Sequence, residues 1–320
     1  MYKNKKVLLM AGGGTLGTYT AKELLRKGAY VDVICPEDKI SDHPSLRFIQ
    51  SYVTDELMEA LFSKTHYDGI VNFMHYSDEE EYKRVHPFLM KNTDHLIFLS
   101  SYRVYANEQH PVTETAPRLH EAYPLEGLLA EDGYGVKKAL CEDYLFGERE
   151  GEHWTVVRPV ISFSHKRLDI LMNSHTDVLE KAESGEPLLL PASVKNFGAG
   201  FDWAGNSGKL IANLLFKEDA IGKAFTVYSG HGMTWSDVAD AYIAETGVRV
   251  EWVSDEDYVQ TFEKKEKPSF LIRWYYDRKF DRDIDSTKIL SVTGLTKKDF
   301  ATVPEGIRAE LDILNWKKGE

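Results

Sequence analysis

The chain has 320 residues, 42% of them hydrophobic and 28% charged, and a formal net charge of −12. That length accommodates one large α/β domain with an appended lobe, or two domains, and no apolar run approaches the roughly eighteen residues of a membrane-spanning helix. The acidic balance argues against nucleic acid as the main partner, because phosphate binding normally requires a basic face.

Val7–Met10 is a wholly apolar run, which predicts a parallel strand covered on both faces. Its basic forerunner, Met1–Lys6, is followed by too short an apolar stretch for a signal-peptide core. Ala11-Gly12-Gly13-Gly14-Thr15-Leu16-Gly17 comes next, then a helix over Tyr19–Lys27 with Gly28 just past its end, then a strand over Val31–Ile34. Strand, glycine turn, helix and strand in this order form the context that makes a glycine loop a dinucleotide-binding candidate. The glycines let the backbone approach a pyrophosphate held at the helix amino terminus by free N–H groups and the helix dipole. Gly12, Gly14, Thr15, Leu16 and Gly17 are the candidate contacts. A plain tight turn is the blander alternative. Cys35 stands where an acidic residue is expected at the tip of the second strand, and Pro36, Glu37 and Asp38 follow it. Glu37 or Asp38 either binds a ribose hydroxyl or is solvated loop charge. No arginine follows to take a 2′-phosphate, although Lys39 is near, so the expected cofactor is NAD or NADP with a lean to NAD.

Further strands are predicted at Leu46–Ile49, Ile70–Met74 and His95–Leu99, with helices at Asp55–Ser63 and Asp78–Met90. Phe73, Met74 and His75 lie at a strand end, which in an open parallel sheet points into the cofactor crevice. A lone histidine is more often structural. Tyr102–Leu125 reads as a long loop after Ser100-Ser101. The run Glu131–Tyr144 reads as helix and carries Tyr134-Gly135-Val136-Lys137-Lys138, which puts a phenol and an ammonium on one face. Such a pair can transfer protons, the lysine drawing the tyrosine pKa from about 10 toward neutrality. Alone the motif is weak, since Tyr-x-x-x-Lys is common on surface helices.

Trp154–Arg158 is predicted as the sixth strand, ended by Pro159-Val160. His165-Lys166-Arg167 is either an anion-binding triplet or a solvated loop. A helix over Ile170–Ser184 ending at Gly185, a short strand within Glu186–Pro191, a connection at Phe201–Trp203, a helix over Gly208–Phe216 and a last sheet strand at Ala224–Tyr228 follow. From Thr234, a fair N-cap, the chain reads as mostly helical with one strand at Val248–Val253. Trp252, Trp274, Tyr275 and Tyr276 either line a pocket or fill a core, and Asp285 or Ser286 caps a helix. This gives a Rossmann-type, doubly wound α/β fold: residues 1–160 with 204–228 form the dinucleotide-binding domain, and 161–203 with 229–320 form a smaller, mostly helical substrate lobe. Cys35 and Cys141 are the only cysteines, which suggests neither a disulfide framework nor a metal site and fits a reducing cytoplasm.

The glycine turn, Leu99–Tyr105, Pro111-Val112-Thr113-Glu114, Tyr134–Lys138 and Val156-Val157-Arg158-Pro159 occur in one order. Together they resemble the extended and atypical short-chain dehydrogenase/reductases of the NAD-dependent epimerase/dehydratase superfamily. The likeness runs over nearly the whole chain and is nearest the branch that includes chloroplast stem-loop-binding proteins. It implies that Ser101 hydrogen-bonds the substrate oxygen, that Tyr134 is the general acid/base, and that Lys138 holds the nicotinamide ribose and depresses the tyrosine pKa. It places Pro159 among the cofactor contacts, and it implies oxidation, reduction or epimerisation at a secondary alcohol or ketone of a small, sugar-like substrate, in a chain compatible with a homodimer. The departures matter too. Ala11 stands at a usual glycine, Gly14 where the atypical branch often has arginine, and Tyr52 where many relatives have aspartate. Tyr102-Arg103 replace the Asp-Glu pair of the superfamily's dehydratases, which argues against dehydration. Ile161–Ser164 replace the pattern typical of its nucleotide-sugar enzymes. The rival expectations are a catalytically silent, cofactor-binding regulator or scaffold and, less favoured by the charge, an RNA-binding relative.

Overall fold

The apolar runs become strands at Lys6–Met10 (β1), Tyr30–Cys35 (β2), Leu46–Gln50 (β3), Gly69–Asn72 (β4), Leu96–Leu99 (β5) and Trp154–Pro159 (β6). Five more follow: Ile161–Phe163 (β7), Pro187–Pro191 (β8), Phe201–Trp203 (β9), Lys223–Val227 (β10) and Arg249–Val253 (β11). The computed structural model describes residues 2–124, 133–263 and 265–317. Seven strands pair in parallel in the order β10-β6-β5-β4-β1-β2-β3, and β7 with β9 and β8 with β11 form two small parallel sheets. The large sheet is a Rossmann-type α/β sheet.

Side-chain alternation explains how one apolar strand serves two cores. Val7 and Leu9 of β1 join a cluster with Leu24, Val31, Leu210 and Phe225, while Leu8 and Met10 join Ile34, Tyr82, Phe98 and Leu145 on the opposite face. Both faces are covered by helices, so all four residues are fully buried. β1 lies between β2 and β4. The chain therefore leaves it in opposite directions, and a crevice opens at the carboxyl ends of β1 and β4.

The main helices are Thr15–Arg26 (α1), Asp55–Phe62 (α2), Glu79–Lys91 (α3), Tyr134–Glu148 (α4), His175–Ser184 (α5), Ala204–Leu214 (α6), Trp235–Thr246 (α7), Thr287–Thr293 (α8) and Val303–Leu314 (α9). Short polar side chains set several starts: Thr54 accepts from the Leu57 N–H, Asp78 from Glu81, and Thr234 and Asp237 form a reciprocal capping box. α1 and α6 pack so closely that a Cβ on Gly208 would lie 2.5 Å from the Tyr19 carbonyl carbon. The elements outside the large sheet surround their own core, where Phe163 stacks on Phe201 with ring centroids 4.8 Å apart beside Trp235, Tyr242 and Trp274.

Several boundaries differ from the sequence-based expectation. α1 begins at Thr15, inside the glycine turn, because Gly14 is already the extended residue preceding the helix. The helix expected over Ile170–Ser184 begins only at His175: Leu171 is left-handed (φ 55°), and Ser174 and Asp177 cap each other's backbone there. The helix expected over Gly208–Phe216 spans Ala204–Leu214 instead. The expected loop Tyr102–Leu125 holds a 3-10 turn at Tyr102–Val104 and a helical turn at Leu119–Ala122. Leu125, and Glu131 with Asp132 before Tyr134, lie outside the described residues. Trp274 is buried and Trp252 packs against the same core, whereas Tyr275 is half exposed. Among the described residues, no helix is long and apolar enough to cross a membrane.

Candidate active site

A cleft of about 570 Å³ lies in the crevice, lined by the glycine turn, the ends of β5 and β6, and residues from beyond the large sheet. Gly14, Thr15, Leu16 and Gly17 form its floor at the start of α1. The turn closes because Gly17 has no side chain: a Cβ there would lie 2.2 Å from the Gly12 carbonyl oxygen. Gly12 is buried behind the floor, its N–H donating to the Ile34 carbonyl at 3.0 Å. Ala11 sits at φ 52°, a left-handed conformation that glycine adopts without the strain a side chain brings. α1 has no side-chain cap, so the N–H groups of its first turn are left for a ligand. Thr15 Oγ1 lies 3.0 Å from Ser164 Oγ, tying this floor to the segment after β7.

Ser101 and Tyr134 line the same cleft, with Phe73, Leu99 and Pro159. Ser101 opens the turn after β5, where its Oγ accepts from the Arg103 N–H at 3.2 Å. Tyr134 is brought to it by Gly135, whose missing side chain lets α4 press on the turn: a Cβ there would stand 2.5 Å from the Arg103 carbonyl oxygen. The guanidinium carbon of Arg103 lies 5.3 Å from the Tyr134 ring centroid, and the exposed His75 ring is also 5.3 Å from it. Lys138 lies one helical turn beyond and is buried; its ammonium donates to the carbonyls of Leu99 (2.6 Å) and Met74 (2.9 Å). Burial lowers its pKa to about 8.

The other sequence candidates sit around this cleft rather than in its wall. Cys35 is buried at the end of β2, with its thiol 3.6 Å from the Glu37 carbonyl, and burial raises the thiol pKa. Met74 lines a neighbouring cavity of about 200 Å³ with Met10, Val53, Met58 and Tyr76. Tyr52 points away, three-quarters exposed. Glu37 reaches over the glycine turn, its Oε2 2.5 Å from where a Gly13 Cβ would be, and Lys39 Nζ donates to the Gly13 carbonyl at 2.6 Å.

The far wall holds residues that the sequence reading passed over. Arg103, Arg167, Arg273 and Arg278 all line the cleft; Arg167 had stood out in its basic triplet and Arg103 only as a departure from the dehydratase pattern, while Arg273 and Arg278 had not. The backbone kinks at Tyr276, within Trp274–Arg278, and Arg273 and Arg278 on either side of the kink both line the cleft. Asp277, buried beneath them, lies 2.6 Å from Arg278, 3.3 Å from Arg103 and 4.0 Å from Arg282, and accepts from the Tyr102 hydroxyl at 2.6 Å. Burial works to raise the Asp277 pKa, but those guanidinium groups outweigh it and bring it to about 2. Arg273 is drawn down to about 10 by the charge of Arg278 and then by burial. Among the described residues no cluster of His, Cys, Asp and Glu is arranged to hold a metal ion.

No family model matches the sequence, and no curated protein matches it. Solved structures do. An epimerase from Methanothermobacter thermautotrophicus is 16% identical, matched over 98% of this chain and 93% of its own, with a TM-score of 0.69. The UDP-glucose 4-epimerase of Thermus thermophilus, solved in complex with NAD, is 18% identical over 97% and 99%, with a TM-score of 0.66. The terminal R domain of the myxalamid PKS-NRPS biosynthetic pathway is 14% identical over 99% and 93%, with a TM-score of 0.70. The likeness at these identities is one of fold, and it extends from end to end of the chain.

Proposed function

We propose that the protein is an NAD(P)-dependent oxidoreductase or epimerase of the extended short-chain dehydrogenase/reductase type, acting on a secondary alcohol or ketone. One observation carries this reading: Ser101 and Tyr134 share a cleft with the uncapped amino terminus of α1, and Lys138 is fixed directly behind them. The residues present fit a dinucleotide. Gly14 has nothing within 4 Å of where its Cβ would be, leaving open space for a phosphate against free backbone N–H groups. The Glu37 carboxylate over the glycine turn suits ribose hydroxyls better than a 2′-phosphate and favours NAD. The solved structure with NAD at the same fold supports this assignment.

A bound nicotinamide would accept or return a hydride at the carbinol carbon. In that reaction Tyr134 would exchange a proton with the substrate oxygen, Ser101 would hydrogen-bond the same oxygen, and Lys138 would hold the helix that presents Tyr134. Residues 161–203 and 229–320 would supply the substrate side. Arg103 stands near Tyr134 where a dehydratase would need an acid/base carboxylate, so water elimination is not part of the proposal.

The test is a titration with NAD(H) and NADP(H) followed by Tyr134→Phe. NADH should bind more tightly than NADPH, and the variant should keep cofactor affinity within about twofold. Retention of either cofactor without any turnover on hydroxy substrates would favour a cofactor-binding regulator, and failure to bind both would remove the reading.

A further inference from the structure

Arg273 has no hydrogen bond or ion pair among the described residues, although it is half-buried in the cleft wall beside Arg278. An arginine does not relieve such crowding by losing its proton. Its neighbours do not compensate for it. Setting Arg103 aside, Arg167, Arg273, Arg278 and Arg282 face two carboxylates, Asp277 (2.6 Å from Arg278) and Asp169 (3.1 Å from Arg167). Among the described residues, two positive charges are therefore left over in this group. Nearby in the interior, Nε and one Nη of Arg282, a side chain only 3% exposed, have no hydrogen-bond partner among the described residues. An unpaired guanidinium in the cleft wall costs stability in the free protein, and an anion bound to Arg273 would offset that cost.

The location of this charge is as informative as its sign. Arg273 and Arg278 line the same cleft as Ser101 and Tyr134. Arg103, two residues after Ser101, bridges the gap, with its guanidinium carbon 5.3 Å from the Tyr134 ring and its Nε 3.3 Å from Asp277. The cationic wall thus begins one side chain away from the proposed proton donor. A neutral sugar would leave Arg273 unpaired in the cleft wall.

We propose that the substrate carries an oxyanion, a carboxylate or a phosphoryl group, within a few bonds of the reacting carbinol carbon, and that Arg273 and Arg278, with Arg167 at the rim, receive it. This rests on the function proposed above and narrows its substrate from sugar-like to acidic. The planar guanidinium fork suits either oxyanion.

The test is calorimetric titration of the full chain with inorganic phosphate, pyrophosphate and malonate, each with and without saturating NADH. NADH binding is measured separately, so failure of the cofactor reading and failure of the anion site are read in different cells. At least one of the three anions should bind in the presence of NADH, when the glycine turn is blocked. Arg273→Gln should weaken that binding about tenfold or more, equivalent to about 1.4 kcal/mol, while Arg273→Lys keeps part of it and NADH affinity stays within about twofold. Preference for malonate or for the phosphates identifies the oxyanion. Arg167→Gln, at a more exposed position, gives a second variant with a smaller loss. Absence of binding by all three anions at about 10 mM, or unchanged binding in Arg273→Gln, overturns the proposal.

Discussion

The ammonium of Lys138 lies 2.6 Å from the carbonyl oxygen of Leu99, which ties the second turn of α4 to the end of β5. A second carbonyl, Met74, is 2.9 Å away, and the Phe98 ring centroid is 4.8 Å away. The charge is therefore satisfied but not solvated, and burial holds its pKa at about 8 instead of 10.5.

That shift fixes a pH dependence. Between pH 8 and 10.5 the unfolded chain keeps a proton on Lys138 that the folded chain releases, so this group makes stability rise with pH across the window. The stability of the wild type minus that of Lys138→Met should therefore increase from pH 7.5 to 10, by at most about 3 kcal/mol at about 1.36 kcal/mol per unit. Urea unfolding at the two pH values measures it. Parallel pH profiles in the two proteins would show that the lysine is not desolvated in solution.

Gly135 and Gly147 offer a contrast within a single helix. A Cβ on Gly135 would meet backbone, the Arg103 carbonyl oxygen at 2.5 Å, whereas one on Gly147 would meet nothing within 4 Å. Gly147→Ala should be neutral or stabilise by up to about 1 kcal/mol, the helix propensity difference. Gly135→Ala should gain nothing from propensity, lose about 1–3 kcal/mol to overpacking, and lower turnover by pushing Tyr134 away from the Ser101 turn. Thermal melts of both variants decide it: equal effects would mean that α4 does not press on that turn.

The sequence carried the large sheet well because its strands are buried on both faces and must be apolar throughout, as Val7–Met10 and Ile70-Val71 are. It also marked the glycine turn and the Tyr134–Lys138 pair by residue type and spacing, while Ser101 stood out only through the family resemblance. What it hid was set by local geometry. The left-handed Leu171 and the Ser174–Asp177 box shorten a helix whose apolar pattern runs on past them. Arg273 and Arg278 were overlooked because their five-residue spacing falls on opposite flanks of an ordinary helix, and the kink at Tyr276 between them is not written in the pattern. The aromatic residues between them drew attention instead, and Trp274 proved to be core.

Arg158, part of the Val156–Pro159 motif, is structural. Its guanidinium pairs with Glu142 at 2.6 and 2.9 Å and donates to the Tyr105 hydroxyl and the Glu114 carbonyl, both at 3.0 Å, with neither charge exposed. Arg158→Met should cost up to about 3–5 kcal/mol, because it leaves the buried Glu142 carboxylate, among the described residues, with Arg118 alone, 3.5 Å away. Adding Glu142→Leu to it should recover a large part of that loss, since the stranded charge goes too. Denaturant unfolding of the two singles and the double gives the coupling directly, and strict additivity would contradict the pairing.

Glu310 ties α9 to α1, to β9 and to the segment after β7. Wholly buried on α9, it accepts from the Trp203 indole (2.6 Å), from the His165 N–H (2.6 Å) and Nδ1 (2.8 Å), and from the Tyr19 hydroxyl on α1. Burial alone would raise its pKa, but the hydrogen bonds from Tyr19, Trp203 and His165 outweigh that and hold it below the usual 4.5. A carboxylate depressed in this way stabilises the fold above its unfolded pKa, and the contribution is lost as pH falls through the folded value. Glu310→Gln removes the charge and turns an amide donor toward a ring of donors, so it should destabilise by about 3 kcal/mol at pH 7. The deficit should shrink as pH falls below 4.5, where the unfolded chain's Glu310 takes up a proton while the folded one stays ionised, until the folded carboxylate is protonated too. Chemical denaturation from pH 7 down to the acid limit of folding measures both. A deficit that stays constant over that range would mean that Glu310 is held by packing and not by its charge.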